Sequence, residues 1–157
     1  MTTQNLEKGL QLDKPKLFIP WKIDEAELMR LVNEHGLIDR SDDYNVYALP
    51  CSILGLDNVE MVFRFDATPG SLQRVELYIR IQAENDFETT QTVLEKTLGK
   101  GIPGTTYDSE YIWNFGETNI SHYVWDSADG PVQKIEIENG EFDFDRPLVW
   151  YPFQEAK

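Results

Sequence analysis

The sequence predicts an α+β fold, a twisted and mainly antiparallel sheet with two helices on one face, and three observations carry that prediction. The chain repeats itself sixty residues apart without a gap: Phe65-Asp66-Ala67-Thr68-Pro69-Gly70-Ser71-Leu72-Gln73-Arg74-Val75-Glu76-Leu77 lies over Trp125-Asp126-Ser127-Ala128-Asp129-Gly130-Pro131-Val132-Gln133-Lys134-Ile135-Glu136-Ile137. Each half opens with a helix signal and continues with three runs of strand character. Turns rich in Gly, Asp and Asn join those runs, which favours antiparallel meanders. The unit is therefore helix, strand, strand, strand, used in tandem over about 24–82 and 85–138 of a single domain of 157 residues.

In chain order, Leu17-Phe18-Ile19-Pro20-Trp21 precedes the duplication, and its proline resists a central strand role. This segment is expected to cover a sheet edge or fill a gap beside the core. Asp24 is placed to cap the first helix, with Glu27 at the reciprocal position of a capping box. Leu28, Leu31 and Val32 make its apolar stripe, and Gly36 is a left-handed stop. Strands are predicted over 44–49, 60–66 and 72–82. Asn85 with Glu88 announces the second helix, whose stripe is Phe87, Leu94 and Leu98 with Thr90 or Gln91 between them, and Gly99 closes it. Strands then follow over 110–115, 119–126 and 132–138. The last segment, Leu148-Val149-Trp150-Tyr151-Pro152-Phe153, is again aromatic and proline-bearing.

Period-two alternation, taken together with the repeat, assigns faces. Met61, Phe63, Phe65, Val75 and Leu77, with Ser121, Tyr123, Trp125, Ile135 and Ile137, are expected to face the helices. The opposite, open face is expected to hold Val62, Arg64, Arg74, Glu76, Tyr78 and Arg80, with Ile120, His122, Val124, Lys134 and Glu136.

Hydrophobic residues at 41% and aromatics at 12% argue for a packed core rather than disorder. The lone Cys51 excludes an internal disulfide, and the absence of an apolar leader or a membrane-length run predicts a cytoplasmic chain that does not engage membrane. The 28 acidic residues outweigh 14 basic ones, for a formal charge of −14. That balance disfavours nucleic acid, which calls for clustered Lys and Arg, and favours a basic protein partner. Acidity for solubility alone explains the composition equally well.

Chemistry has few candidates. His35 suits a helix C-terminus, and His122 would stand among Arg64, Tyr78 and Arg80 on the open face, where a cross-strand polar ladder is the commoner meaning. Cys51 reads as a small buried hydrophobe. No metal spacing or phosphate-cradling loop occurs, so no metal and no cofactor are expected. Glu141, Asp143 and Asp145 alternate with two phenylalanines, while Asp39, Asp42 and Asp43 share a loop. Together with Trp150 and Tyr151 as aromatic anchors, these carboxylates form the expected partner-binding surface.

The duplicated unit from Asp24 to Glu138, marked by Arg74-Val75-Glu76-Leu77 and Lys134-Ile135-Glu136-Ile137, resembles in architecture the small acidic immunity proteins of bacterial toxin systems. That resemblance implies a non-enzymatic inhibitor, a monomer or homodimer, that occludes a basic protein by binding it. A second likeness is to acidic type III secretion chaperones, against which Pro147 and Pro152 count, because such chaperones end in a helix. A third reading places a small ligand or a reaction on the open sheet face around His122, Tyr78 and Arg64.

Overall fold

A computed structural model describes residues 5–40, 46–66, 71–80, 86–107, 109–128, 130–140 and 148–150, with the backbone alone at 39–40, 46–47, 66, 80, 127 and 148–150. An N-terminal hairpin, β1 (Gly9–Leu12) and β2 (Leu17–Pro20), precedes α1 (Glu25–Val32) and a 3-10 turn (Asn33–His35). Four strands follow: β3 (Ile38–Arg40), β4 (Val46–Ile53), β5 (Leu56–Asp66) and β6 (Leu72–Arg80). Then come α2 (Phe87–Leu98), β7 (Ile102–Pro103), β8 (Glu110–Phe115), β9 (Thr118–Ser127), β10 (Gly130–Asn139) and β11 (Leu148–Trp150). The chain is thus α+β, and the main sheet runs β3-β4-β5-β6-β10-β9-β8-β7, with β11 beside β5. Every pairing in it among the described residues is antiparallel.

Local signals account for both helices. Asp24 accepts the Glu27 amide at 2.8 Å, and Gly36 leaves the following 3-10 turn in the left-handed region at φ 86°. In α2 the cap is Asp86, accepting the Thr89 amide at 2.7 Å, rather than the expected Asn85, which lies outside the described residues. Both side chains can cap, and the backbone turns helical one residue later than the sequence pattern indicates. Gly99 closes α2 as expected.

Leu28 and Val32 of α1, Leu94 of α2, and Leu10, Leu12 and Ile19 of the hairpin all pack with Met61, Phe63, Val75, Leu77, Ile135 and Ile137 in one core. Burial of each such side chain contributes about 1.5–3 kcal/mol. The hairpin therefore fills space beside the helices, and the Trp21 indole ties it down by donating to the Leu6 carbonyl at 2.8 Å. A Cβ at Gly9 would meet the backbone of Ile19 and lie 2.8 Å from Pro20 Cα. Gly9→Ala is expected to cost about 1–3 kcal/mol in urea unfolding, as overpacking does. Wild-type stability in that variant would contradict so close an approach.

Strand β4 runs through Pro50 to Ile53, past the expected end at Leu49. Its partner β3 stops at Ala48, and Ser52, two residues beyond Pro50, turns its backbone outward to Lys14. The proline nitrogen therefore points away from β5, where no ladder bond is lost. No helix among the described residues is long and apolar enough to cross a membrane.

The largest correction concerns β9. Arg64 pairs with Arg74 but Phe65 pairs with Leu72, so Gln73 is an extra residue in the first half. The second half pairs without a shift, Trp125 with Val132 and His122 with Ile135. Beyond that bulge the β5–β6 and β9–β10 hairpins are out of step by one residue, and a one-residue slip reverses every side chain. Ile120 and His122 consequently face the helices, whereas Tyr123 and Trp125 lie on the opposite face, the reverse of the sequence expectation.

Candidate functional site

The face of the sheet turned away from the helices gathers most of the buried charge among the described residues. Alternation along β6 and β10 points Arg74, Glu76 and Tyr78, with Lys134, Glu136 and Glu138, to this side, and β5 adds Arg64. Glu76 is fully buried and sits opposite Glu136 across the β6–β10 seam. It accepts a 2.6 Å hydrogen bond from the Tyr78 hydroxyl and lies 3.2 Å from Lys134 Nζ, 3.5 Å from Arg64 and 3.8 Å from Arg74. Glu136 accepts the Tyr123 hydroxyl at 2.6 Å and pairs with Lys134 at 3.5 Å and Arg74 at 3.6 Å. Two like-charged carboxylates directly opposite each other would repel; here Arg74 and Lys134 bridge them from both strands.

The cluster sits in a mixed setting. Ala48, Val62, Tyr78 and Val132 form a small apolar group on the same side. Lys134 Nζ lies 5.4 Å from the Tyr78 ring and 5.5 Å from the Trp125 ring, within cation–π range. Tyr107 stacks on Tyr123 at 4.0 Å, and both Tyr107 and Trp125 are exposed on their outer sides. Burial disfavours charge on the Arg64 guanidinium and lowers its pKa, an effect that Glu76 opposes without cancelling. Burial also pushes the Glu138 carboxyl up, and burial with the Glu136 hydrogen bond pushes the Tyr123 phenol up. Tyr78 and Tyr123 each donate to a carboxylate and the opposite charges face one another, although the buried Glu76 Oε2 and Glu138 Oε1 accept no hydrogen bond.

Of the residues expected on the open face, Arg64 and Tyr78 do meet around Glu76. Arg80 ends β6 opposite Val132, with its side chain outside the description. His122 is on the other side of the sheet, fully buried, stacked 4.1 Å from Phe87 of α2, between Gln91 at 2.9 Å and Gln133 at 2.8 Å. Burial lowers its pKa to about 4, so the ring is neutral at pH 7 and has one N–H. Nε2–H donating to Gln133 Oε1 satisfies one side. The Gln91 Nε2, which otherwise has no hydrogen-bond partner, donates to Nδ1 once the amide is turned by 180°. The imidazole is thereby held between two amides and an aromatic ring. Cys51 is buried and its thiol is pushed up to about 12, leaving almost no thiolate at neutral pH.

Asp39 lies in β3 opposite Tyr47 and Trp150 in β11 opposite Arg64, each by its backbone alone. Asp42, Asp43, Glu141, Asp143, Asp145 and Tyr151 fall outside the described residues. The Arg74, Glu76, Lys134 and Glu136 quartet was legible in the repeat as basic-apolar-acidic at matching positions. Its convergence depends on β6 and β10 pairing edge to edge. Comparison with family models, curated proteins and solved structures finds no match for the chain.

Proposed function

We propose that the chain is a non-enzymatic binding module that occludes a basic protein, in the manner of an immunity protein toward its toxin, working in the cytoplasm as a monomer or homodimer. The observation that carries this reading is the internal neutralisation of the sheet face. Arg64, Arg74 and Lys134 pair with Glu76 and Glu136, and Glu138 stands opposite Arg74 in the ladder, so the formal charge of −14 belongs to the rest of the chain. A surface of that sign steers and selects a partner of the opposite sign. The enclosed His122 and the protonated Cys51 favour binding over the alternative of chemistry at those residues.

We also infer that the two halves arose from one unit. The strand order is palindromic about the β6–β10 seam, and Val75 pairs with Ile137, Glu76 with Glu136 and Leu77 with Ile135, as a local two-fold relation through the repeated motif requires. The scaffold would then be a symmetric sheet whose specific surface developed where the halves differ.

Capture with the tagged full-length chain tests the binding reading. A basic protein retained at ~0.05 M NaCl and released by ~0.5 M is the expected result, since exposed charge pairs are screened over that range. A partner that is acidic, or that stays bound throughout the gradient, would count decisively against it.

A further inference from the structure

A groove of about 340 Å³ opens where the β4–β5 turn meets α2, away from the charged sheet face. Resting on the reading of a basic partner, we propose that this groove receives one arginine or lysine side chain from the partner surface. Its apolar wall is Leu56, Ile79 and Val93, suited to the aliphatic stem of such a residue. Its polar wall includes Asp57, Asn58 and Thr89, suited to the cationic head. The volume is at the small end of the range for ligand sites, enough for one long side chain.

Among the described side chains around the groove and the α2 N-terminus, carboxylates dominate. Asp57 is exposed on its lining, and Asp86 shares an α2 face with Thr89, Thr90 and Val93 by helical spacing. A helix N-terminus ordinarily attracts an anion. Here Asp86 occupies that position by accepting the Thr89 amide, and the exposed Glu88 adds a second carboxylate in the first turn. Lys96, the basic residue of α2, is two turns beyond Thr89. A cation entering beside Thr89 therefore meets carboxylates first.

The walls are also held in place. Leu54 and Gly55 form the turn at φ 58° and 82°, and Asn58 follows at φ 57°, all in the left-handed region. Thr97 donates to the Leu54 carbonyl at 3.1 Å, and a Cβ on Gly55 would lie 3.1 Å from Val93. A preformed site of this kind loses little freedom on binding.

Titration of the ¹⁵N-labelled full-length chain with n-butylguanidinium, followed by amide shifts, tests the assignment, with n-butanol as the uncharged control. Saturable shifts are expected at Gly55, Asp57, Asn58 and Thr89, with affinity reduced about threefold in Asp57→Asn, the order of an exposed charge contact. Asp57 is exposed, so this variant should keep the fold. Shifts that do not saturate, that spread over the acidic surface, or that n-butanol reproduces would overturn the groove as a cation site. They would leave the acidic-surface reading intact, because salt-dependent capture does not require Asp57. Saturable groove shifts in a chain that captures no basic protein would instead overturn the partner reading and leave the groove's preference for a cation standing.

Discussion

Glu76→Ala is expected to lower the unfolding free energy by about 3–5 kcal/mol, the usual result of removing one member of a buried ion cluster. The carboxylate is fully buried and faces Arg64, Arg74 and Lys134, with the Tyr78 hydroxyl as a further donor. Its removal leaves three partly buried cations with fewer opposing carboxylates and removes the acceptor of the Tyr78 hydroxyl bond. Glu136→Ala should cost less, about 1 kcal/mol, because the Glu136 side chain is 24% exposed and water can take over part of its role. Urea titration of both variants decides the point: a Glu76→Ala loss no larger than that of Glu136→Ala would contradict the burial argument. Exchanging all the ions together, with Arg64, Arg74 and Lys134 changed to Met and Glu76, Glu136 and Glu138 to Leu, should recover most of the loss, since the desolvation penalty disappears along with the attraction. The cluster thus reads as a device that specifies how β6 meets β10, more than as a source of net stability.

Acidification is expected to destabilise the protein through His122. In the unfolded chain this imidazole takes up a proton near 6.5, whereas in the folded protein burial holds it back to about 4. Between those values the unfolded state binds more protons, so stability present above pH 6.5 is lost progressively as the pH falls toward 4. At about 1.4 kcal/mol per unit, the loss approaches about 3 kcal/mol. Glu138 acts with the opposite sign, because its raised folded pKa favours the native state as acid is added. The comparison that isolates His122 is therefore wild type against His122→Phe, by urea unfolding at pH 7.5 and pH 4.5. The variant should be less stable at pH 7.5, where Gln91 and Gln133 lose their bonds to the ring, yet should lack the His122 part of the wild-type decline between pH 7.5 and 4.5. An equal decline in both proteins would mean that His122 is not the group responsible. Protonation would introduce a charge between Phe87, Gln91 and Gln133, with no described carboxylate in contact with the ring. Loosening of α2 from β9 is the structural form the loss should take.

Features encoded within a few residues were legible from the chain. Asp24 with Glu27, Gly36 and Gly99 mark helix ends because capping and left-handed stops act over one turn. The six long strands show because alternation and turn residues are local patterns. The short elements β1, β2, β3, β7 and β11 were missed as strands, for two to four residues carry too little period to stand out. Pro50 hid the second half of β4, since whether a proline spoils a ladder depends on which side the neighbouring strand lies.

The matching Arg-Val-Glu-Leu and Lys-Ile-Glu-Ile segments already carried the alternation that puts Arg74, Glu76, Lys134 and Glu136 on one side of their strands. Nothing within either copy says that β6 and β10 pair with each other, and only that pairing turns two surface ladders into one buried cluster. The same division explains His122. Its strand was legible, but its face was not, because a single extra residue at Gln73 alters the pairing of the β5–β6 hairpin and not that of β9–β10. Alternation is a local property of a strand, whereas register is an agreement between strands, and a slip of one residue moved the histidine from the open face into the core.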